Sequence, residues 1–218
     1  YTHAINDQTK QVFAADNPET TAITTTSAAV TGFDDDSLPD LVGRLNWSTT
    51  GADITVAGIV RQLSVDGIAG NPAYSQDATG WGVSGSAKIK VGERDDLRLM
   101  VTYGEGIGRY IGLNTLPDAV IRANDLETVP VLAGFAAYRH MWGPRTRSTL
   151  AYAVQQGDLP TGILATTTEE TWSAFGNLVF SPVRGLDLGV EYRHGERTLL
   201  GGQSGELNRL HFVAKQTF

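Results

Sequence analysis

The chain has 218 residues, a net charge of -7 and no cysteine, which removes disulfides and thiolate metal sites and argues against nucleic acid as a partner, since phosphate binding wants a basic stripe. Its longest apolar stretch, residues 129–138, is far short of the roughly 20 residues a spanning helix needs. A mean hydropathy of -0.15 leaves a membrane barrel open, because dyad alternation hides a barrel's hydrophobicity. No signal peptide is visible at Tyr1-Thr2-His3-Ala4 and no initiator methionine is present, so a processed, trimmed or fragmentary chain is expected.

Period-two alternation predicts strands along the whole sequence. The first, residues 10–15, is weakly patterned. A long polar stretch over 16–37, rich in Thr, Ser and Ala, carries Asp34-Asp35-Asp36. Residues 39–48 set Leu41, Gly43, Leu45 and Trp47 against Arg44 and Asn46, and Thr49-Thr50-Gly51 is a tight turn. Residues 52–64 set Ile54, Val56, Gly58 and Val60 against Asp53, Thr55 and Arg61. A longer loop with Gly and Pro is expected over 65–77. Residues 80–91 alternate Trp81, Val83, Gly85, Ala87, Ile89 and Val91 with Ser84, Ser86, Lys88 and Lys90.

After a turn at Gly92-Glu93-Arg94-Asp95, residues 96–104 oppose Leu97, Leu99, Val101 and Tyr103 to Asp96, Arg98 and Thr102. The connection over 105–128 is long and Gly-rich at its start. Residues 129–142 place Leu132, Ala136, Tyr138 and Trp142 against Arg139, and Gly143-Pro144 turns the chain. Residues 145–156 oppose Leu150, Tyr152 and Val154 to Arg147, Thr149 and Gln155. A loop over 157–169 leads to residues 170–181, with Trp172, Ala174, Leu178 and Phe180 on one face, and to a turn at Pro182-Val183-Arg184-Gly185. Residues 186–197 alternate Leu186, Leu188, Val190 and Tyr192 with Asp187, Glu191 and Arg193. The last strand follows Gly201-Gly202-Gln203-Ser204-Gly205. It sets Leu210, Phe212, Ala214 and Phe218 against Arg209, His211, Lys215 and Thr217, with Val213 the exception.

These are about ten strands of spanning length, since ~9–11 tilted residues cross a bilayer. Tight turns alternate with long connections, as in an outer-membrane barrel with short periplasmic turns and long external loops. Aromatics sit near the ends of the apolar faces, where rings settle at a membrane interface. The expected fold is all-β: a transmembrane antiparallel up-and-down β-barrel formed over residues 1–218, in the bacterial outer membrane. A soluble barrel or sandwich remains the alternative, with the apolar set inside.

Three segments, Phe33 to Leu41, Gly80-Trp81-Gly82 followed by Ser84-Gly85, and Gly104-Glu105-Gly106-Ile107-Gly108-Arg109-Tyr110, resemble the DcaP-type trimeric porins of Gram-negative outer membranes. The ending resembles the C-terminal recognition strand of outer-membrane barrels, with Gln216 standing where that signal has an apolar residue. The resemblance spans residues 12–218. It implies part of a sixteen-stranded barrel, a homotrimer, and some six further strands from a missing N-terminal segment or a second chain.

In such a protein the chemistry is the lining. Alternation points Arg44, Arg61, Lys88, Lys90, Arg98, Arg139, Arg147, Arg193, Arg209 and Lys215 inward, with fewer acids: Asp53, Asp96, Asp187 and Glu191. Rings of Arg and Lys favour anions, and the guanidinium fork suits carboxylates. The expected function is a passive diffusion channel for small anionic solutes, with (di)carboxylates the natural class, and outer-membrane lipid and lipopolysaccharide around it. Each cation has a structural alternative, a cross-strand pair with an acid.

The Gly104–Gly112 run does not have the spacing of a dinucleotide loop. It either starts a loop that folds inward, bringing Arg109 and Arg122 to the solute, or an ordinary external loop. Asp34-Asp35-Asp36 lacks calcium-loop spacing and reads as a solvated external loop. His140, His194 and His211 share no metal-ligand spacing, and no cofactor is expected. Asn46-Trp47-Ser48 is a sequon without meaning in a bacterial strand. Two other functions stay open: a lipase-like outer-membrane enzyme using His140 or His194 with Ser148 or Ser173, for which no elbow motif speaks, and a plugged structural or adhesive barrel.

Overall fold

The computed structural model describes residues 1–112 and 115–217; the terminal Phe218 lies outside the described residues. The strands are β1 (Thr2–Ala4), β2 (Thr9–Asp16), β3 (Thr20–Thr24), β4 (Ser27–Phe33), β5 (Asp40–Ser48), β6 (Ala52–Ile68), β7 (Asn71–Val91), β8 (Asp95–Glu105), β9 (Ala119–Arg122), β10 (Asp125–Thr128), β11 (Pro130–Met141), β12 (Thr146–Gly157), β13 (Thr168–Val183), β14 (Leu186–Leu199) and β15 (Ser204–Gln216). A single 3-10 turn, Gly108–Tyr110, is the only helical element among the described residues.

Eleven strands form one antiparallel sheet in the order β1-β2-β5-β6-β7-β8-β11-β12-β13-β14-β15. All ten strands expected from the alternation are in it, in chain order, with the three-residue β1 added at one edge. Register keeps the two faces separate along the strand pairs, with bulges only near the ends of β6–β7 and β13–β14. On one side Trp47 faces Ile54, Gly85 faces Val101, Ala136 faces Leu99, and Leu178 faces Val190. On the other, Lys88 faces both Asp53 and Arg98, and Arg193 faces Arg209.

The remaining four strands make a second sheet, β10-β9-β3-β4, in which β3 and β9 run parallel. It is built from the two connections expected to be irregular, residues 16–37 and 105–128, and so corrects both. Small and β-branched residues, Thr-Thr-Ala-Ile-Thr over 20–24 and Ala-Val-Ile over 119–121, let these segments pair with each other although they are far apart in sequence. The expected loop over 65–77 is also corrected: β6 and β7 run on as one hairpin to Ile68 opposite Asn71.

The core lies between the two sheets. Ile23, Ile107, Leu116, Val120, Val129 and Val131 form one buried cluster, and Leu63, Val65, Tyr74, Ala119 and Leu126 a second. Leu63, Val65 and Val131 share the face of Arg98 and Lys88, so the second sheet covers the charged side of the wall. The apolar side is left open: Val101 is 59% exposed, Leu150 68% and Phe212 78%. A soluble barrel buries its apolar set. Here that set is an uncovered apolar surface that requires an apolar environment.

Candidate functional site: the inward face

The start of the inward connection explains its glycines. A Cβ on Gly104 would stand 2.2 Å from the Trp81 carbonyl oxygen, and one on Gly108 2.4 Å from that of Leu116. Gly106 has a φ of +68°. Chain can fold flat across the wall only where side chains are absent. The glycine run therefore serves close backbone approach, and the connection turns inward rather than outward.

A buried polar cluster fastens it there. The Arg61 side chain, on β6, is fully buried. Its Nε lies 3.3 Å from Asp40 at the start of β5, and its Nη1 3.2 Å from Asp118 Oδ2 just before β9. It also donates to the Gly106 carbonyl at 3.2 Å and to the Glu19 carbonyl at 2.5 Å. Tyr110 donates its hydroxyl to Asp40 at 2.5 Å, and its ring lies 5.4 Å from both the Arg61 and Arg109 guanidinium carbons. Asp118 accepts from the Thr21 N–H and hydroxyl at 2.8 and 2.9 Å and from the Arg109 N–H at 2.9 Å. Burial pushes the Asp118 carboxyl up, against the pull of Arg61 and these donors. Burial, then Asp40, pushes the Tyr110 phenol up as well. Arg61 points inward as its parity requires, but loop backbone covers it. It is a fastening residue, and the expectation that it lines the lumen is corrected.

The other expected residues divide by partner. Arg98 pairs with Asp96 at 2.7 Å, and Arg139 pairs with the second oxygen of the same carboxylate. Arg147 holds Asp187 at 2.7 Å. Arg193 holds Glu191 at 3.3 Å and lies 5.1 Å over the Phe175 ring. Lys90 donates to the Thr50 carbonyl at 2.7 Å. Arg44, Lys88, Arg209 and Lys215 have no carboxylate within ion-pair distance among the described residues. By register, Arg44 lies between Val12 and Ala57, Lys88 between Asp53 and Arg98, Arg209 opposite Arg193, and Lys215 opposite Asp187.

Arg109 is carried inward on the 3-10 turn, where it holds the Glu19 carbonyl at 2.8 Å and the Glu19 carboxylate at 3.6 Å. Arg122 is bound to Glu127 at 2.6 Å and to the Thr161 carbonyl at 2.7 Å, so it is tied to neighbouring loops. Two cations escaped the sequence reading. Arg197 faces Thr171 and Gly205, and Lys10 faces Asn46. The parity that placed Arg193 also places Arg197. Lys10 lies in the weakly patterned first strand.

Between the loop and the wall is a cavity of about 860 Å³ whose lining includes Ile59, Met100, Tyr110, Phe135, Arg193 and Arg197. Apolar surface from β8 and β11 forms one side and guanidinium groups from β14 another.

The Asp34-Asp35-Asp36 run is only partly a solvated loop. Asp36 accepts from the Ser64 N–H at 2.6 Å and the Thr20 hydroxyl at 2.8 Å, and Asp35 accepts from the Asp66 N–H at 2.9 Å. The pair satisfies backbone donors along the β6 extension, and burial pushes the Asp36 carboxyl up. Among the lipase candidates, His140 gives Nδ1 to Asp95 at 2.7 Å and Ser148 accepts from the Trp142 indole at 2.8 Å. His194 Nδ1 is 2.9 Å from Asn208 Oδ1. Ser173 points to the opposite face, across from Gly195. No Ser–His hydrogen bond occurs among the described residues.

No family model matches the chain, and no curated protein does. Among solved structures it is similar to the outer membrane channel DcaP of Acinetobacter baumannii, with a TM-score of 0.82 and 23% identity over 100% of this chain. The chain spans 61% of that channel's length. The likeness establishes the fold: the eleven-stranded sheet has the architecture of part of an outer-membrane channel barrel.

Proposed function

We propose that this chain forms much of the wall of an outer-membrane diffusion channel, not an enzyme, with a cationic lumen that favours small anionic solutes, (di)carboxylates foremost. The observation that carries this reading is the composition of one face. Register gathers Lys10, Arg44, Lys88, Lys90, Arg98, Arg139, Arg147, Arg193, Arg197, Arg209 and Lys215 with the acids Asp16, Asp40, Asp53, Asp96, Asp187 and Glu191. Cations outnumber carboxylates on that wall even with the ion pairs set aside. A narrow water path bordered by such a wall concentrates anions. The inward second sheet narrows the path, and the fold it shares with a known channel supports the same reading.

The same reading carries its partners. β1 and β15 each have a single neighbour in the sheet, so further strands would close the barrel, from an additional N-terminal segment or a second chain. Outer-membrane lipid and lipopolysaccharide would cover the apolar face, and three copies would assemble as a homotrimer.

Single-channel recording in a planar bilayer under a salt gradient tests the reading. It predicts steady conductance with a reversal potential on the anion side. Phospholipid hydrolysis without conductance would favour the lipase alternative, and neither activity would favour a plugged barrel.

A further inference from the structure

The apolar face carries a charge gradient along its height that the channel reading does not use. At the loop end, parity places Asp77, Glu105, Glu170, Glu196 and Glu206 on the lipid-facing side, with Glu196 directly opposite Glu206. At the other end, three successive tight turns each carry one exposed arginine: Arg94 between β7 and β8, Arg145 between β11 and β12, and Arg184 between β13 and β14. None of the three has a carboxylate within ion-pair distance among the described residues, and Glu93 is the one acidic residue within those turns. Neighbouring strands lie about 4.8 Å apart, so these turns recur roughly every 10 Å along the rim.

Beside them stands an amphipathic cluster. Trp142 is 67% exposed, and its indole lies edge-on to His140 at 4.4 Å while donating to Ser148. His140 and Tyr138 both bond Asp95, at 2.7 and 2.6 Å, and the Met141 N–H bonds its other oxygen at 2.9 Å. That carboxylate is held by its own donors. Trp47, on the same face beside the first tight turn, is 47% exposed. Exposed indoles at the same end as unpaired guanidinium groups, Trp142 directly beside the Arg145 turn, fit a headgroup layer: the rings settle at the interface and the guanidinium forks match phosphate oxygens.

We infer that the tight-turn rim is a docking surface for anionic phospholipid headgroups, with Arg94, Arg145 and Arg184 holding their phosphates. The inference rests on the membrane reading above. One arginine near an anionic surface contributes about 1 kcal/mol, which corresponds to about fivefold in local lipid association.

Four tryptophans make this measurable, two at each end: Trp47 and Trp142 at the turns, Trp81 and Trp172 near the loops. The protein is inserted into vesicles containing brominated phosphatidylglycerol or brominated phosphatidylcholine, and fluorescence quenching is read for W81F/W172F, which keeps the turn-end pair, and for W47F/W142F, which keeps the loop-end pair. The expected result is about fivefold preferential quenching of the turn-end pair by the anionic lipid, abolished in R94Q/R145Q/R184Q, with no preference at the loop-end pair. Equal quenching by both lipids, an undiminished preference in the triple variant, or loss of the preference to excess soluble glycerol phosphate would each overturn it. Should the variants fail to insert, the wild type still tests the idea, because its preference must fall as salt screens the arginines. Quenching by neither lipid would instead overturn the membrane reading.

Discussion

Arg61 fastens the inward connection to the wall through Asp40, Asp118 and the Gly106 carbonyl. Alternation places it inward, and nothing in its own strand signals that Asp40, Asp118 and the Gly106 carbonyl will close over it. Those partners come from β5 and from a connection whose path the alternation does not describe. Replacing Arg61 by Ala leaves two carboxylates buried beside one tyrosine, a loss of about 3–5 kcal/mol. The expected result is a lower urea midpoint and, in bilayers, a larger and noisier conductance as the inward loop loosens.

Acid should act in the opposite sense. The Asp118 and Asp36 carboxyls are pushed up by burial, so the folded state binds their protons more tightly than the unfolded chain does. Stability from these groups is therefore higher on the acid side and falls as pH rises between the unfolded and folded values. Mild acidification from neutral pH should leave the loop docked, with open-channel conductance at fixed salt unchanged. An abrupt conductance step in that range would show a different fastening.

At the scale of elements, the ten wall strands were legible because each is half exposed on both sides of a charge boundary, which writes period two directly into the residues. Their turns were legible from Gly, Pro and Asp. The second sheet was not. Its strands are short, four to seven residues, and β3 and β9 are buried on both faces, so Thr20 to Ile23 and Ala119 to Ile121 carry no alternation to read. Their pairing depends on contacts across about a hundred residues, as between Thr21 and Asp118. The glycines were visible but ambiguous until the close approach to Trp81 and Leu116 gave them a purpose. Gly108→Ala places a Cβ 2.4 Å from backbone oxygen and should undock the turn. Protease sensitivity confined to residues 105–128, with the wall's circular dichroism intact, is the expected signature.

For the whole molecule, the excess of basic over acidic residues on one face of the sheet was legible where their pairings were not. Ion pairs engage Arg98 and Arg193 along their own strands and Arg139 and Arg147 across strands, while Arg44, Lys88, Arg209 and Lys215 have no carboxylate within ion-pair distance among the described residues. Of these, Lys88 and Arg209, each directly opposite a further arginine, should dominate selectivity. Substituting both by Gln is expected to lower the anion-to-cation permeability ratio by about twofold or more, against a smaller change for Arg147→Gln, which also frees Asp187.

Everything at this scale depends on which face is wet, and the absence of cysteine makes that directly measurable. Single cysteines placed at Leu99, Val101 and Leu188, and at Lys88, Arg98 and Arg209, would be treated with a charged, membrane-impermeant maleimide in lipid vesicles. The account predicts rapid labelling of the second set and protection of the first until detergent is added. Labelling of the first set with protection of the second would contradict it.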